Sequence, residues 1–401
     1  MAGINKLHLY NSQTHKKELF IPRDNKVGIY VCGVTPYDIT HLGHAFTYVF
    51  FDVLVRYLES SGIIVTYIQN ITDVDDDLLK RALELNIDFR SLTVKNFSLF
   101  LSDLHWLNIK QPDYFPRATD HIREIIELNK KLEKVGIAYE KNGNLYFSIE
   151  RYKNYGKLSG LSRQQMLPVA NTRGNNSEDR NKFNPLDFVL WQTQQQGEPA
   201  WSSPWSLGRP GWHIECSAMS TKYLGNTIDI HGGGGDLIYP HHESEIAQSE
   251  SVNKVPFARF FMHTSMLYYK GNKMSKSLNN MIFIKEFKEK YSANTIRLML
   301  LKNQYRQKWE FNYELLYESQ KLNELFRQVW IVESGHGEDL EITREQNDFY
   351  SFLNDDLNIP AAIKSLKVLA EKIIKNKEKS TSSAKAFLNN TFNILGLRIE
   401  Y

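Results

Sequence analysis

Cysteine is nearly absent from the 401-residue sequence: Cys32 and Cys216 are its two thiols. Two thiols allow at most one long-range disulfide, not a framework, and reduced thiols in a cytoplasmic setting are expected. No run reaches the ~18–20 consecutive apolar residues of a membrane helix. The most apolar stretch, residues 48–55, is interrupted by Asp52 and closed by Arg56. The first twenty residues lack the charged start and apolar core of a secretory signal. No repeat of solenoid length is visible, and no membrane partner is expected. Charge of one sign is lacking too, since 49 Lys and Arg face 46 Asp and Glu for a net +3. That balance does not announce a nucleic-acid binder, although a basic patch can sit on a balanced surface. With 22 glycines and 12 prolines the chain is neither collagen-like nor of low complexity, and its 42% apolar residues suffice for a full core. At roughly 100–200 residues per domain, two or three domains are expected.

Residues 27–32 (VGIYVC) form a short, β-branched apolar run, which predicts a buried strand. A turn with Pro36 follows, and from His41 the apolar spacing becomes helical until Ser60, Ser61 and Gly62. Residues 63–69 predict a second strand, and 75–85 a helix with acidic residues in its first turn. Strand, helix, strand, helix in succession predicts an α/β fold with a doubly wound parallel sheet. Further on, 121–135 reads as an amphipathic helix, 144–149 as a strand, and the polar stretch 171–181 as a mobile loop. A strand is expected at 227–231 and a helix beginning near His241. Beyond Glu310 the pattern is helical and rich in lysine.

Four places carry chemistry. His41-Leu42-Gly43-His44 opens the first helix, whose free N–H groups and positive dipole end favour phosphate. Helical spacing puts the two imidazoles on one face, and Gly43 keeps that face low enough for a base or ribose to pack. Lys273-Met274-Ser275-Lys276-Ser277 offers two cations that could clamp a triphosphate, the plainer reading being a solvated basic loop. Cys32, Cys216, and His241 with Glu245 one helical turn on, are possible soft-metal ligands suiting zinc. Two buried thiols acting as small apolar residues are the alternative. The glycine run in residues 229–236 (DIHGGGGD) permits close backbone approach to a ligand, or a hinge; it is not a phosphate-binding loop.

HLGH after a first strand, with KMSKS far downstream, resembles the class I aminoacyl-tRNA synthetases. Residues 30–38 (YVCGVTPYD), 69–77 (QNITDVDDD), 209–219 (RPGWHIECSAM) and 228–249 (IDIHGGGGDLIYPHHESEIAQS) narrow the resemblance to the cysteinyl-tRNA synthetases, over nearly the whole chain. The resemblance implies a ligase that activates L-cysteine with ATP, entering with Mg2+, to cysteinyl-adenylate, then passes cysteine to the 3′ end of cysteine tRNA. It implies that His41, Gly43 and His44 contact ATP. Lys276, helped by Lys273, would hold its phosphates. One Zn2+ per chain would bind Cys32, Cys216, His241 and Glu245 and take the substrate thiolate, with Glu245 the weak ligand. Thr72, Trp212 and His231 would line the cysteine pocket. A zinc–thiolate bond would separate cysteine from nearly isosteric serine, which pocket shape does poorly.

The same resemblance implies a division into 1–118 (first half of a Rossmann-like catalytic domain), 119–205 (an insertion) and 206–262 (second half). A stem-contact segment carrying KMSKS would follow at 263–310, and a helical bundle at 311–401. Three departures stand out. The small anticodon-binding domain that follows the bundle in the family is expected to be missing. Asn279 stands where glycine is usual, and Phe46 replaces an arginine common after the histidine motif. These point to a relative, the mycothiol cysteine ligase, which passes cysteine to a small amine; Glu245 argues for the synthetase branch. A non-enzymatic tRNA-binding module is a third reading. The intact histidines, lysines and metal candidates argue against it.

Overall fold

The computed structural model describes residues 6–274, 278 and 280–401. At its centre lies a four-stranded sheet in the order Ala258–Thr264, Ile228–Gly234, Lys26–Val34, Ile64–Ile71. Every neighbouring pair runs parallel, as the strand–helix alternation predicts. The first strand is apolar on both faces because both faces are covered. Its period of two sends Val27, Ile29 and Val31 into the core shared with the helix Leu42–Ser60. Tyr30 and Cys32 belong to the opposite core, built with Met219 of the helix Trp212–Leu224 and Ile246 of the helix Glu243–Asn253. That parity places Cys32 on the side where the other thiol lies.

From Lys26–Val34 the chain passes through Leu42–Ser60 to Ile64–Ile71 on one side, while Ile228–Gly234 pairs on the other. The crevice beyond the carboxyl ends of those two central strands is the switch point at which doubly wound sheets bind ligands. Phe51 of the central helix presses on Gly232, where a Cβ would stand 2.2 Å from the ring. Glycine at that position serves helix-on-sheet packing, not a hinge.

Asp52, which breaks the apolar run, accepts from Arg297 Nη2 at 2.6 Å, and both side chains are fully buried. Arg297 also donates to the carbonyls of Leu107 and Leu395, so this pair joins the central helix to the C-terminal helix Ser382–Leu395. Those helices, Tyr313–Ile331, Thr343–Asn354, Ile359–Lys375 and Ser382–Leu395, match the helical reading beyond Glu310.

Between the second and third parallel strands an antiparallel sheet intervenes, ordered Ala138–Lys141, Asn144–Phe147, Phe188–Thr193, Leu207–Pro210, Trp201–Ser202. It packs with the helix Ile122–Lys134 around Ile125, Leu132, Leu145 and Trp191. The polar stretch after the helix Arg163–Asn171 is tied down by hydrogen bonds instead of standing free. Asn175 Nδ2 donates to Asn171 Oδ1 at 2.7 Å, Tyr146 Oη to Asp179 at 2.7 Å, and Asn142 Nδ2 to Asn181 at 2.7 Å. Among the described residues, no helix is long and apolar enough to cross a membrane.

Candidate active site and metal centre

A cavity of about 1030 Å³ opens at the switch point, between the sheet's carboxyl ends and the antiparallel insertion. Cys32, Cys216 and His241 line one wall, and His41, Gly43 and His44 another. Thr72 and Trp212 also face it.

The candidate metal wall is assembled from four elements. Cys32 lies near the carboxyl end of the strand Lys26–Val34, Cys216 in the helix Trp212–Leu224, and Glu245 in the first turn of the helix Glu243–Asn253. His241 precedes that helix in the kinked, π-type turn Ile238–His242, so regular helix begins two residues later than the sequence pattern suggests. Ligand atoms of Cys32, Cys216, His241 and Glu245 all lie within 4.8 Å of one another. The two sulfurs are 4.0 Å apart and unbridged. A second set, Cys32, His231, His242 and Glu245, meets the same criterion and shares two members with the first.

A cluster of histidines surrounds these groups. His213 Nδ1 lies 3.0 Å from His241 Nδ1, so one ring donates to the other and His241 Nε2 is left facing Glu245 at 3.9 Å. His242 Nε2 approaches Cys32 Sγ at 3.2 Å; its Nδ1 meets His263 Nε2 at 2.8 Å, and His263 Nδ1 meets Ser12 Oγ at 2.9 Å. The ring of Trp212 stacks on His241 with centroids 4.5 Å apart, closing that side against water. His231 is fully buried, with Nε2 2.8 Å from Glu245 Oε2, behind the carboxylate.

Burial governs the charges here. It pushes His213 and His263 down to about 3, and His241 and His242 well below the usual imidazole range. All four are neutral at pH 7, the form that ligates metals. Burial likewise raises Cys32, reinforced by Cys216, and raises Glu245 against the opposing pull of His231. Among the described residues the wall holds potential anions and no fixed cation, while Glu245 Oε1 and His231 Nδ1 are buried without a hydrogen-bond partner. Two thiols, an imidazole and a carboxylate converging on one point fit a soft divalent metal, whose charge would reverse the penalty on the thiolates.

The second wall is more open. His41 is the N-cap of the central helix, in extended conformation, and its Nδ1 accepts from the His44 backbone N–H at 3.2 Å. The two rings stack with centroids 3.6 Å apart. They meet across the cap rather than along a helical face, and a Cβ on Gly43 would stand 3.1 Å from the His41 ring. Glycine thus admits the ring of His41 itself. Lys273 lies in the short strand Asn272–Lys273, half-buried, its ammonium disfavoured by burial and favoured by Asp236. Just beyond the KMSKS segment the chain returns to the histidines, with Leu42 N–H donating to Ile282 O at 2.8 Å and Ile284 N–H to Thr40 O at 3.0 Å. Lys276 and Asn279 lie outside the described residues.

Sequence reasoning missed His213, His242 and His263. The first two are neighbours in sequence of Trp212 and His241, an available signal; His263 carries none, because it reaches the site only through the sheet register Gly233–His263.

The family model for the tRNA synthetases class I (C) catalytic domain matches residues 19–321. The chain is 41% identical to the cysteine–tRNA ligase of Thermococcus onnurineus, over 98% of this chain and 87% of that protein. It is 43% identical to that of Idiomarina loihiensis (94% and 82%) and 44% identical to that of Legionella pneumophila (97% and 85%). Among solved structures, Mycobacterium tuberculosis methionyl-tRNA synthetase in complex with methionyl-adenylate shares the fold. Its TM-score is 0.66 at 15% identity, over 92% of this chain and 88% of that one. The chain belongs to the cysteinyl-tRNA synthetase family of class I tRNA synthetases.

Proposed function

We propose that the chain activates L-cysteine with ATP to give cysteinyl-adenylate and pyrophosphate, then esterifies cysteine to the 3′ end of cysteine tRNA. One observation carries the reading: a cavity that joins a buried Cys32–Cys216–His241–Glu245 set to the His41–His44 pair at a helix N-terminus. Zn2+, one per chain, would be held by that set and supply a soft Lewis acid that prefers a thiolate to a hydroxyl. Trp212 and Thr72 close the pocket around the amino acid and exclude water. His41, Gly43 and His44 bind the phosphates of ATP, accompanied by Mg2+, and stabilise charge that develops as the cysteine carboxylate attacks the α-phosphorus. Lys273 adds a cation from the strand Asn272–Lys273, and Lys276 is assigned the same role from the motif alone. Little covalent work falls to the protein, because alignment and charge stabilisation supply the rate.

The division into a split catalytic domain (1–118 and 206–262), an insertion (119–205), a stem-contact segment (263–310) and a helical bundle (311–401) is part of this proposal. No observation favours a small-amine acceptor. The test is to incubate the protein with ATP, labelled cysteine and a cysteine-tRNA transcript and to count cysteine bound to RNA. Charging that depends on ATP and on the transcript is expected; robust ATP–pyrophosphate exchange without charging would overturn the acceptor.

A further inference from the structure

The cavity has a predominantly acidic rim, with Asp38, Asp75, Asp76 and Asp77 along one side. A triphosphate is repelled by such a rim and must be drawn to whatever positive corner the cavity offers. One such corner is built from three separate parts of the chain. Arg173 follows the insertion helix Arg163–Asn171, and its backbone is fixed by an N–H bond to Ala170 O at 2.9 Å. The next residue, Gly174, turns the chain at φ +87°, and Asn175 N–H returns to the same carbonyl at 3.1 Å. This turn aims the guanidinium across the cavity at Asp236, which ends the glycine run on the catalytic side. The ammonium of Lys273, in the short strand Asn272–Lys273, is favoured by the same carboxylate and disfavoured by Arg173. Two cations thus lie in the field of one anion, on the cavity that the histidine pair also lines.

The Arg173–Asp236 contact is loose. It runs through Nη1 at 3.2 Å, longer than the roughly 2.7–2.9 Å of a tight charged hydrogen bond. Both side chains keep 29% of their surface exposed. A half-open pair of this kind contributes little to stability, so the fold has slight use for it. A guanidinium has a planar fork of donors that matches two oxygens of a phosphate better than one of a carboxylate.

We propose that Arg173 is a further ATP-binding residue: a phosphate-gripping cation that the insertion delivers to the activation site and Asp236 parks there until ATP arrives. The inference rests on the ATP-dependent reading above. It gives the insertion a part in adenylate formation, with Arg173 exchanging a carboxylate partner for a phosphate.

The test compares metal-loaded, full-length wild type with Arg173→Ala and Arg173→Lys in cysteine-dependent ATP–pyrophosphate exchange. A parallel calorimetric titration uses inorganic tripolyphosphate. Arg173→Ala is expected to raise KM for ATP and weaken tripolyphosphate binding, each by roughly ten- to a hundredfold. The cysteine KM and metal content should not move, and Arg173→Lys should recover part of the loss. Wild-type ATP KM and tripolyphosphate binding in Arg173→Ala would overturn the assignment. So would an effect confined to the KM for tRNA, or an equal rise in the cysteine KM. Should the wild type itself fail to exchange, the proposed function falls. The tripolyphosphate titration then still decides whether Arg173 holds phosphate.

Discussion

The two walls of the cavity are built on opposite principles. On the metal wall Cys32, Cys216, His241 and Glu245 are at most 5% exposed, and a rank of neutral imidazoles locks their orientation. On the phosphate wall His41, Gly43, His44 and Lys273 keep partial exposure, and Arg173 rests on a long contact to Asp236. The difference follows from what each wall is proposed to hold. A soft metal that distinguishes sulfur from oxygen needs fixed donors in a low dielectric. A triphosphate that must enter, react and leave needs cations that stay hydrated until it arrives.

Breaking the walls one at a time should separate their effects. Cys216→Ser removes a donor from the rigid wall. It should release the metal and raise the cysteine KM more than about a hundredfold, read by metal analysis after dialysis and by exchange kinetics. A variant that keeps full metal content would contradict the assignment. On the open wall, His44→Ala should lower kcat of exchange by about a hundredfold. Its metal content and cysteine KM should stay at wild-type values, and loss of metal there would erase the distinction. His213→Ala probes the histidine cluster around the metal wall: apparent metal affinity should fall roughly tenfold, by competition with a chelator, while the ATP KM is unchanged.

The smallest effect belongs to Asp75, on the rim between the walls, which caps the helix Asp76–Leu85 by accepting from Asp77 and Leu78 N–H groups. Burial, then repulsion from Asp77, pushes its carboxyl up to about 6 from an ordinary value near 3.8. The folded chain binds that proton more tightly than the unfolded one, so its contribution to stability is complete below pH 4 and is lost as pH rises through 6. Asp75→Asn keeps the cap acceptor and removes the charge. It should stabilise the protein by about 1 kcal/mol at pH 8, fading to nothing near pH 4, in denaturant titrations at both pH values.

The rigid wall's framework was legible in sequence; the histidine cluster around it was not. Residues 27–32 announce a strand buried on both faces, and their parity puts Cys32 opposite Val31 with no further information. The helix from Leu42 to Ser60 follows from its apolar spacing and its Ser-Ser-Gly end. The metal set, in contrast, comes from three distant segments, and spacing alone could not join them; the family resemblance did. His263 reaches the site through strand register, and His231 through the same sheet, where it stands behind Glu245. Local pattern carries neither fact. Periodicity also misplaced His41, because an N-cap lies outside the helix and points its ring by backbone conformation rather than by helical phase. Arg173 was hidden in a polar stretch that composition reads as a free loop, since only the folded chain shows the side-chain bonds that fix it.

The central claim is that the buried set holds a metal which selects the thiol. It is tested most directly by replacing that metal with cobalt(II) and titrating cysteine, then serine, while recording the absorption spectrum. The account predicts added sulfur-to-cobalt charge-transfer intensity with cysteine, none with serine, and none in Cys216→Ser. A cobalt spectrum indifferent to cysteine would contradict it.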